Sequence, residues 1–538
     1  MVSKTVVSFL LAVGFSLTGT AAQPQSSGTN TTSPIAHTAQ GPIRGFVEEE
    51  SGHSVFLGVR YAASTAGNNR WRPPQPVHGH KHTVNATEFA PACPQYPPPA
   101  NGIGEDCLSL NIWAQSTAKK LPVIIYNYGG AMVTGTNADP TYNGTAFASS
   151  GFVYVSLQHR SGLMGFPYGK IFNGTSQNFG ILDVFAAVKW VEENIHAFGG
   201  DADKITFMGQ SSGAVMVDHY LWNHPKTNIK AAIIQSADVF SGPGYAPEQV
   251  GFDVLAESFN CPIDDLSAQL DCLRNASPLS LVTVDEIFTA NFSDSGAETW
   301  FVPLIDGHTR FDDYEDRFRK GKYPKEVPVL TGNVANEATL FGLVVYPASQ
   351  TTPFSHWINT FNADAAHIPD DQLLSRYPDS DYSSSALQSG QLYANMRFYC
   401  AIDYMVDLRA ELDNHYRYRF AGNYSSQNGY PALGACHGCE LPYIFKTYNR
   451  TLATGIQPQL ADKLHEIWVK FAKNPSDGPG WAPVTQHDGP IALLGSAEAP
   501  LETVVQNSSD YNRICQDFHN YWQKDYPVLI DPRQPRAY

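Results

Sequence analysis

Gly209-Gln210-Ser211-Ser212-Gly213 sets a serine between two glycines, a spacing suited to nucleophilic attack on a carbonyl. Such a segment works when it forms a sharp turn between a strand and a helix, which leaves the hydroxyl exposed at the helix N-terminus. The flanks have that order: Ile205-Thr206-Phe207-Met208 reads as a strand and Ala214-Val215-Met216-Val217 as a helix start. The bare five-residue pattern arises by chance in a Gly-rich chain, so its weight comes from these flanks. Ser212 is the rival serine. Its place in the turn suits it to donating a backbone N–H, and Ser211 is the expected nucleophile.

A second segment could serve the same chemistry. Tyr128-Gly129-Gly130-Ala131-Met132-Val133-Thr134-Gly135 follows the apolar run Leu121–Asn127. Small residues at a strand end can aim successive N–H groups at one point, as a developing oxyanion requires. Taken alone, a Gly-Gly pair is more often a plain turn. A general base must come from seventeen histidines, and in this kind of architecture the chain order is serine, acid, histidine. Two strand-like runs downstream end in suitable loops. Val327–Thr331 leads into Gly332-Asn333-Val334-Ala335-Asn336-Glu337-Ala338, and Tyr416–Phe420 precedes Gly434-Ala435-Cys436-His437-Gly438-Cys439-Glu440. In isolation Glu337 reads as a solvated carboxylate and His437 as a surface histidine.

The elements that must hold these residues alternate along the chain. Leu121–Asn127, Val153–Leu157, Ile205–Met208, Ala231–Gln235, Val327–Thr331 and Tyr416–Phe420 read as strands. Between them, Ile181, Phe185, Val188, Val191 and Ile195 mark one face of a helix over 181–198. Strands alternating with helices predict a mostly parallel sheet covered on both faces, with reactive groups beyond the carboxyl ends of the strands.

Length and charge narrow the function. The chain has 538 residues, 43% hydrophobic and 16% charged, with 35 basic and 51 acidic residues and a formal charge of −16. So acidic a protein repels phosphate backbones and anionic membrane surfaces, so nucleic acid is not an expected partner. Met-Val-Ser-Lys, an apolar run from Thr5 to about Leu17 and then small residues make a secretory signal peptide over 1–22, cut after Ala22. That run is too short for a comfortable membrane anchor, no later segment reaches spanning length, and Pro-Arg-Ala-Tyr at the end offers no lipid-anchor tail. Residues 23–40, rich in Ser, Thr, Gln and Gly, read as a disordered leader, and 41–538 as one domain. Nine Asn-X-Ser/Thr sequons, at Asn30, Asn85, Asn143, Asn173, Asn275, Asn291, Asn423, Asn449 and Asn507, fit a secreted glycoprotein. Eight cysteines, an even number, fit an oxidised one.

With the elbow and the Gly-rich loop in hand, the chain resembles the type-B carboxylesterase/lipase family, which includes the cholinesterases, and is similar in style to fungal secreted members. The marks run from about 41 to 525: Phe56-Leu57-Gly58-Val59-Arg60-Tyr61-Ala62, Arg70-Trp71-Arg72-Pro73-Pro74, and Glu105-Asp106-Cys107-Leu108-Ser109-Leu110-Asn111. They continue with Asn178-Phe179-Gly180-Ile181-Leu182-Asp183, Trp190-Val191-Glu192-Glu193-Asn194-Ile195 and Phe198-Gly199-Gly200-Asp201. The resemblance implies a single α/β-hydrolase domain and a serine carboxylic-ester hydrolase. It aligns the family acid with Glu337, the base with His437, and the oxyanion N–H groups with Gly130, Ala131 and Ser212. There are two departures: Ala131 stands where a third Gly is usual, and Gln210 where Glu is usual, which removes a negative charge beside the nucleophile.

The implied mechanism runs through an acyl-enzyme on Ser211 and needs no metal or organic cofactor. The resemblance also implies bridges Cys93–Cys107, Cys261–Cys272 and Cys400–Cys515. Cys436 and Cys439 then flank His437, and a fourth bridge, free thiols or a metal site are all open. Only thirteen residues, with no Trp, lie between Cys93 and Cys107. In lipases of the family this loop carries a long lid, and in cholinesterases a choline-stacking Trp, so a hydrolase of small soluble esters is expected. The rival readings are a non-catalytic cholinesterase-like binding protein, a tailoring esterase or acyl transferase acting on one complex metabolite, and a lipase. Specificity and oligomeric state are not written in these residues.

Overall fold

The run Leu121–Asn127 shows how the sheet is built. Val123 and Ile125 join one hydrophobic core and Ile124 and Tyr126 another, because successive side chains on a strand point to opposite faces. All four are wholly buried, as a strand covered on both sides must be. The structure is a computed structural model that describes residues 33–117, 119–240, 251–292, 301–340, 375–427 and 431–517.

The strands are β1 (Ile35–Thr38), β2 (Gly41–Arg44), β3 (Phe46–Val47), β4 (Ser54–Arg60), β5 (Val84–Asn85), β6 (Ser109–Ala114) and β7 (Leu121–Asn127). They continue with β8 (Val153–Leu157), β9 (Gly200–Gln210), β10 (Ile229–Gln235), β11 (Val329–Val334), β12 (His415–Phe420), β13 (Pro490–Leu494) and β14 (Thr503–Asn507). Eleven form one sheet in the order β14-β13-β12-β11-β10-β9-β7-β8-β6-β4-β3. From β13 to β8 every neighbouring pair is parallel, and antiparallel strands close both edges. On one face lie α1 (Phe179–Asn194) and α2 (Ser212–Asn223); α3 (Cys400–Arg409) follows later in the chain, and α4 (Gln457–Lys473) packs on the other face through Leu460, Leu464, Trp468 and Phe471.

Two expectations shift. The run assigned to the leader through residue 40 contains β1, which pairs antiparallel with β2 and buries Ala36 against the core; the polar composition hid one inward-facing residue in each short strand. The helix expected over 181–198 is α-helical over Phe179–Asn194 and tightens to a 3₁₀ turn at Ile195–Phe198 before Gly199 at φ 85° ends it. The signal peptide and most of the leader lie outside the described residues. Several family-like motifs turn out to be clamps. Arg70 grips Glu105 with two bonds of 2.6 and 2.7 Å, and Arg160 grips Asp183 with two of 2.7 Å.

Candidate active site

The elbow follows from backbone crowding. Ser211 sits between β9 and α2 at φ 56°, ψ −134°, a conformation that a non-glycine residue adopts only when its surroundings force it. A Cβ on Gly213 would lie 2.2 Å from the Asn127 carbonyl oxygen and 2.4 Å from that of Tyr128, so only glycine lets the new helix pass under the end of β7. A Cβ on Gly129 would sit 2.6 Å from Ser211 Cβ. The Gly-rich loop and the serine are therefore in contact. The N–H groups of Gly130, Ala131 and Ser212 donate to no acceptor among the described residues. Ala131 itself has φ 54°, a left-handed conformation that explains why glycine is usual here.

The expected acid and base, Glu337 and His437, are brought together from the end of β11 and the loop beyond β12. Glu337 is wholly buried; its Oε2 lies 2.6 Å from His437 Nδ1, and its Oε1 accepts from the Val334 N–H at 2.9 Å. Asn336 pins the two loops: its N–H donates to the Ala435 carbonyl at 3.0 Å, and its Oδ1 accepts from the Ala435 N–H at 3.0 Å. On the other side of the ring, His437 Nε2 is 3.2 Å from Gln210 Nε2, the residue before the serine. Ser211 Oγ makes no hydrogen bond among the described residues. The structure thus joins His437 directly to Glu337 and to the elbow through Gln210.

Three neighbours went unread in the sequence. Asn395–Tyr399 is a turn of π-helix; its Phe398 ring packs 4.9 Å from the His437 ring, and the Tyr399 hydroxyl accepts from the Glu337 N–H at 3.3 Å and donates to the Ala335 carbonyl at 2.7 Å. Burial holds that phenol up at about 12, so it stays a donor. Glu440 accepts from Gln235 Nε2 at 3.1 Å, and burial, then the Glu337 charge, push its carboxyl up to about 8. Adjacency of Phe398 and Tyr399 to Cys400, and of Glu440 to Cys439, was the available signal.

The five strands that end at this site, β7, β9, β10, β11 and β12, are parallel and present their carboxyl ends to it. Residues 32–511 match the carboxylesterase family. The chain belongs to the carboxylesterase family. A fumonisin B1 esterase of Sphingopyxis macrogoltabida is 30% identical over 509 residues, covering 89% of each chain. Secreted lipase 5 of Gibberella zeae is 29% identical over 547 residues, covering 90% of this chain and 96% of its own. Among solved structures, PNB esterase superposes with a TM-score of 0.75 at 25% identity, covering 90% of this chain and 99% of the other. The fold is the α/β-hydrolase fold. As a carboxylesterase, the chain is a carboxylic ester hydrolase, of a family acting on small-molecule esters.

Around this carboxylesterase core the cysteines are bonded Cys93–Cys107, Cys261–Cys272, Cys400–Cys515 and Cys436–Cys439, the last enclosing His437. Of the sequon asparagines, Asn85, Asn173, Asn275, Asn423 and Asn507 are exposed and Asn143 and Asn449 half-buried; Asn30 and the Asn291 side chain lie outside the described residues. Among the described residues one cluster, Asp403, Asp407 and His487, has metal-ligating atoms within 4.8 Å of one another, but Asp403 is engaged by Arg417 at 2.6 Å and Asn512 at 2.8 Å. Among the described residues no helix is long and apolar enough to cross a membrane.

Proposed function

We propose that this carboxylesterase is an exported enzyme that hydrolyses small esters with Ser211 as nucleophile, His437 as general base and Glu337 as the acid that orients it. The observation that carries this reading is the buried 2.6 Å contact of Glu337 with His437, held against the strained Ser211 elbow. His437 takes the Ser211 proton as the oxygen attacks the ester carbonyl, and Glu337 stabilises the imidazolium. The N–H groups of Gly130, Ala131 and Ser212 hold the oxyanion, each such donor being worth on the order of 10² to 10³ in turnover. His437 then protonates the leaving alcohol, and water, activated the same way, frees the acid from the acyl-enzyme.

Small esters are favoured over lipid droplets by the tethering of the Cys93–Cys107 loop. Gln95 receives the Gly135 N–H at 2.7 Å, donates to the Gly135 carbonyl at 2.8 Å, and Asn101 donates to Thr136 at 3.2 Å. A loop stitched in this way to the Gly-rich segment is not a swinging lid. Export is supported by the basic-then-apolar N-terminus, the bridges and the exposed sequons. The test is a panel of esters of graded acyl and alcohol size, run beside Ser211→Ala on protein recovered from culture medium. Hydrolysis of soluble short esters that vanishes in Ser211→Ala is the expected result. A jump in activity only above the solubility limit of a long-chain triglyceride would contradict the substrate reading.

A further inference from the structure

Glu337 determines which nitrogen of His437 carries the proton. Nδ1 faces a carboxylate oxygen at 2.6 Å, an acceptor, so Nδ1 holds the hydrogen and Nε2 presents its lone pair. What stands 3.2 Å from that lone pair is the side-chain nitrogen of Gln210, a donor. The reverse orientation would set an amide oxygen against a lone pair, so the donor orientation is the one a neutral imidazole accepts.

Gln210 is held where it can do this. It ends β9, paired in register with Gln235 of β10, and is almost wholly buried. Gly438, next to His437, lies beside the same amide: a Cβ there would be in ordinary contact with Gln210 Nε2 at 3.5 Å. A glutamate carboxylate at position 210 would have no hydrogen to give. Glu337 lies across Nδ1, and the Phe398 ring packs 4.9 Å from the imidazole.

We propose that Gln210 is a positioning residue that caps the basic nitrogen of His437 in the resting enzyme, so that Ser211 delivers its proton only as the amide gives up the lone pair. One N–H···N bond breaks and one O–H···N bond forms in its place. The inference rests on the Ser211–His437–Glu337 reading and specifies what regulates its base: reactivity is set by the residue beside the nucleophile.

Gln210→Met and Gln210→Leu remove the donor at nearly constant volume. In each, the rate of phosphonylation by a fluorophosphonate and the kcat and KM for p-nitrophenyl acetate are measured. Phosphonylation should be about two- to tenfold faster, the worth of one hydrogen bond. The value of kcat should rise with KM near its original value. A space-filling glutamine predicts no gain, and labelling that is unchanged or slower would overturn the proposal. Should both variants fail to fold, a crystal structure of the unmodified chain decides. Gln210 Nε2 on His437 Nε2 supports the cap, and Ser211 Oγ on that nitrogen with the amide turned away overturns it. A fully active Ser211→Ala would instead remove the underlying triad. An inactive Ser211→Ala beside an unaltered Gln210→Met would overturn the cap alone.

Discussion

His437 Nδ1 lies 2.6 Å from Glu337 Oε2, with both side chains withdrawn from solvent. The carboxylate also takes the Val334 N–H, so its position is set by the end of β11. In Glu337→Gln the amide can turn its nitrogen to the ring and stabilise the wrong tautomer. Turnover on a soluble ester should fall on the order of 10³- to 10⁴-fold with an unchanged melting transition. A loss under tenfold would remove Glu337 from its assigned part.

Glu440 predicts a pH dependence of stability. In the unfolded chain a glutamate ionises near about 4.3, whereas here burial and then Glu337 push the carboxyl up to about 8. Between those values the folded state keeps a proton that the unfolded state has released. Stability therefore declines as pH rises through the window and levels off above it. Glu440→Gln cannot ionise. Urea unfolding of the two proteins should show wild type losing ground to the variant by about 1 kcal/mol per pH unit from pH 5 to 8. A difference that stays flat with pH would contradict this.

Tyr399 braces the acid loop from a π-helical turn, and its hydroxyl satisfies both the Glu337 N–H and the Ala335 carbonyl. Tyr399→Phe leaves the buried Glu337 N–H unpaired and the Ala335 carbonyl to the 3.3 Å bond from Arg419 Nη2, at a cost of about 1–3 kcal/mol in unfolding free energy. Because the loop carries Glu337, kcat should fall while KM stays near its original value. Loss of stability with kcat preserved would make Tyr399 a packing residue only.

Patterns confined to one element were readable in advance. Leu121–Asn127 and Val153–Leu157 are strands with the bounds the apolar runs imply, because strands buried on both faces have little choice of composition. Val327–Thr331 slid to Val329–Val334, since Pro328 has no N–H to give a ladder and pairing with β12 continues to Val334. The elbow was readable because strand, glycines and helix adjoin in sequence. The approach of Gln210 to His437 was not: 227 positions separate them, and the contact exists only through the order of β9, β10, β11 and β12. The π-turn placing Phe398 and Tyr399 against His437 and Glu337 was equally hidden, as one inserted residue leaves no periodic trace.

Ser211 is the residue on which the proposed mechanism depends, so the most direct measurement is to find where a covalent ester-hydrolase inhibitor lands. Protein treated with a fluorophosphonate to complete inactivation is digested, and the adduct is located by mass spectrometry. One adduct per chain on Ser211, absent from Ser211→Ala together with ester hydrolysis, is the predicted result. An adduct on another residue, or hydrolysis that persists in Ser211→Ala, would contradict the assignment.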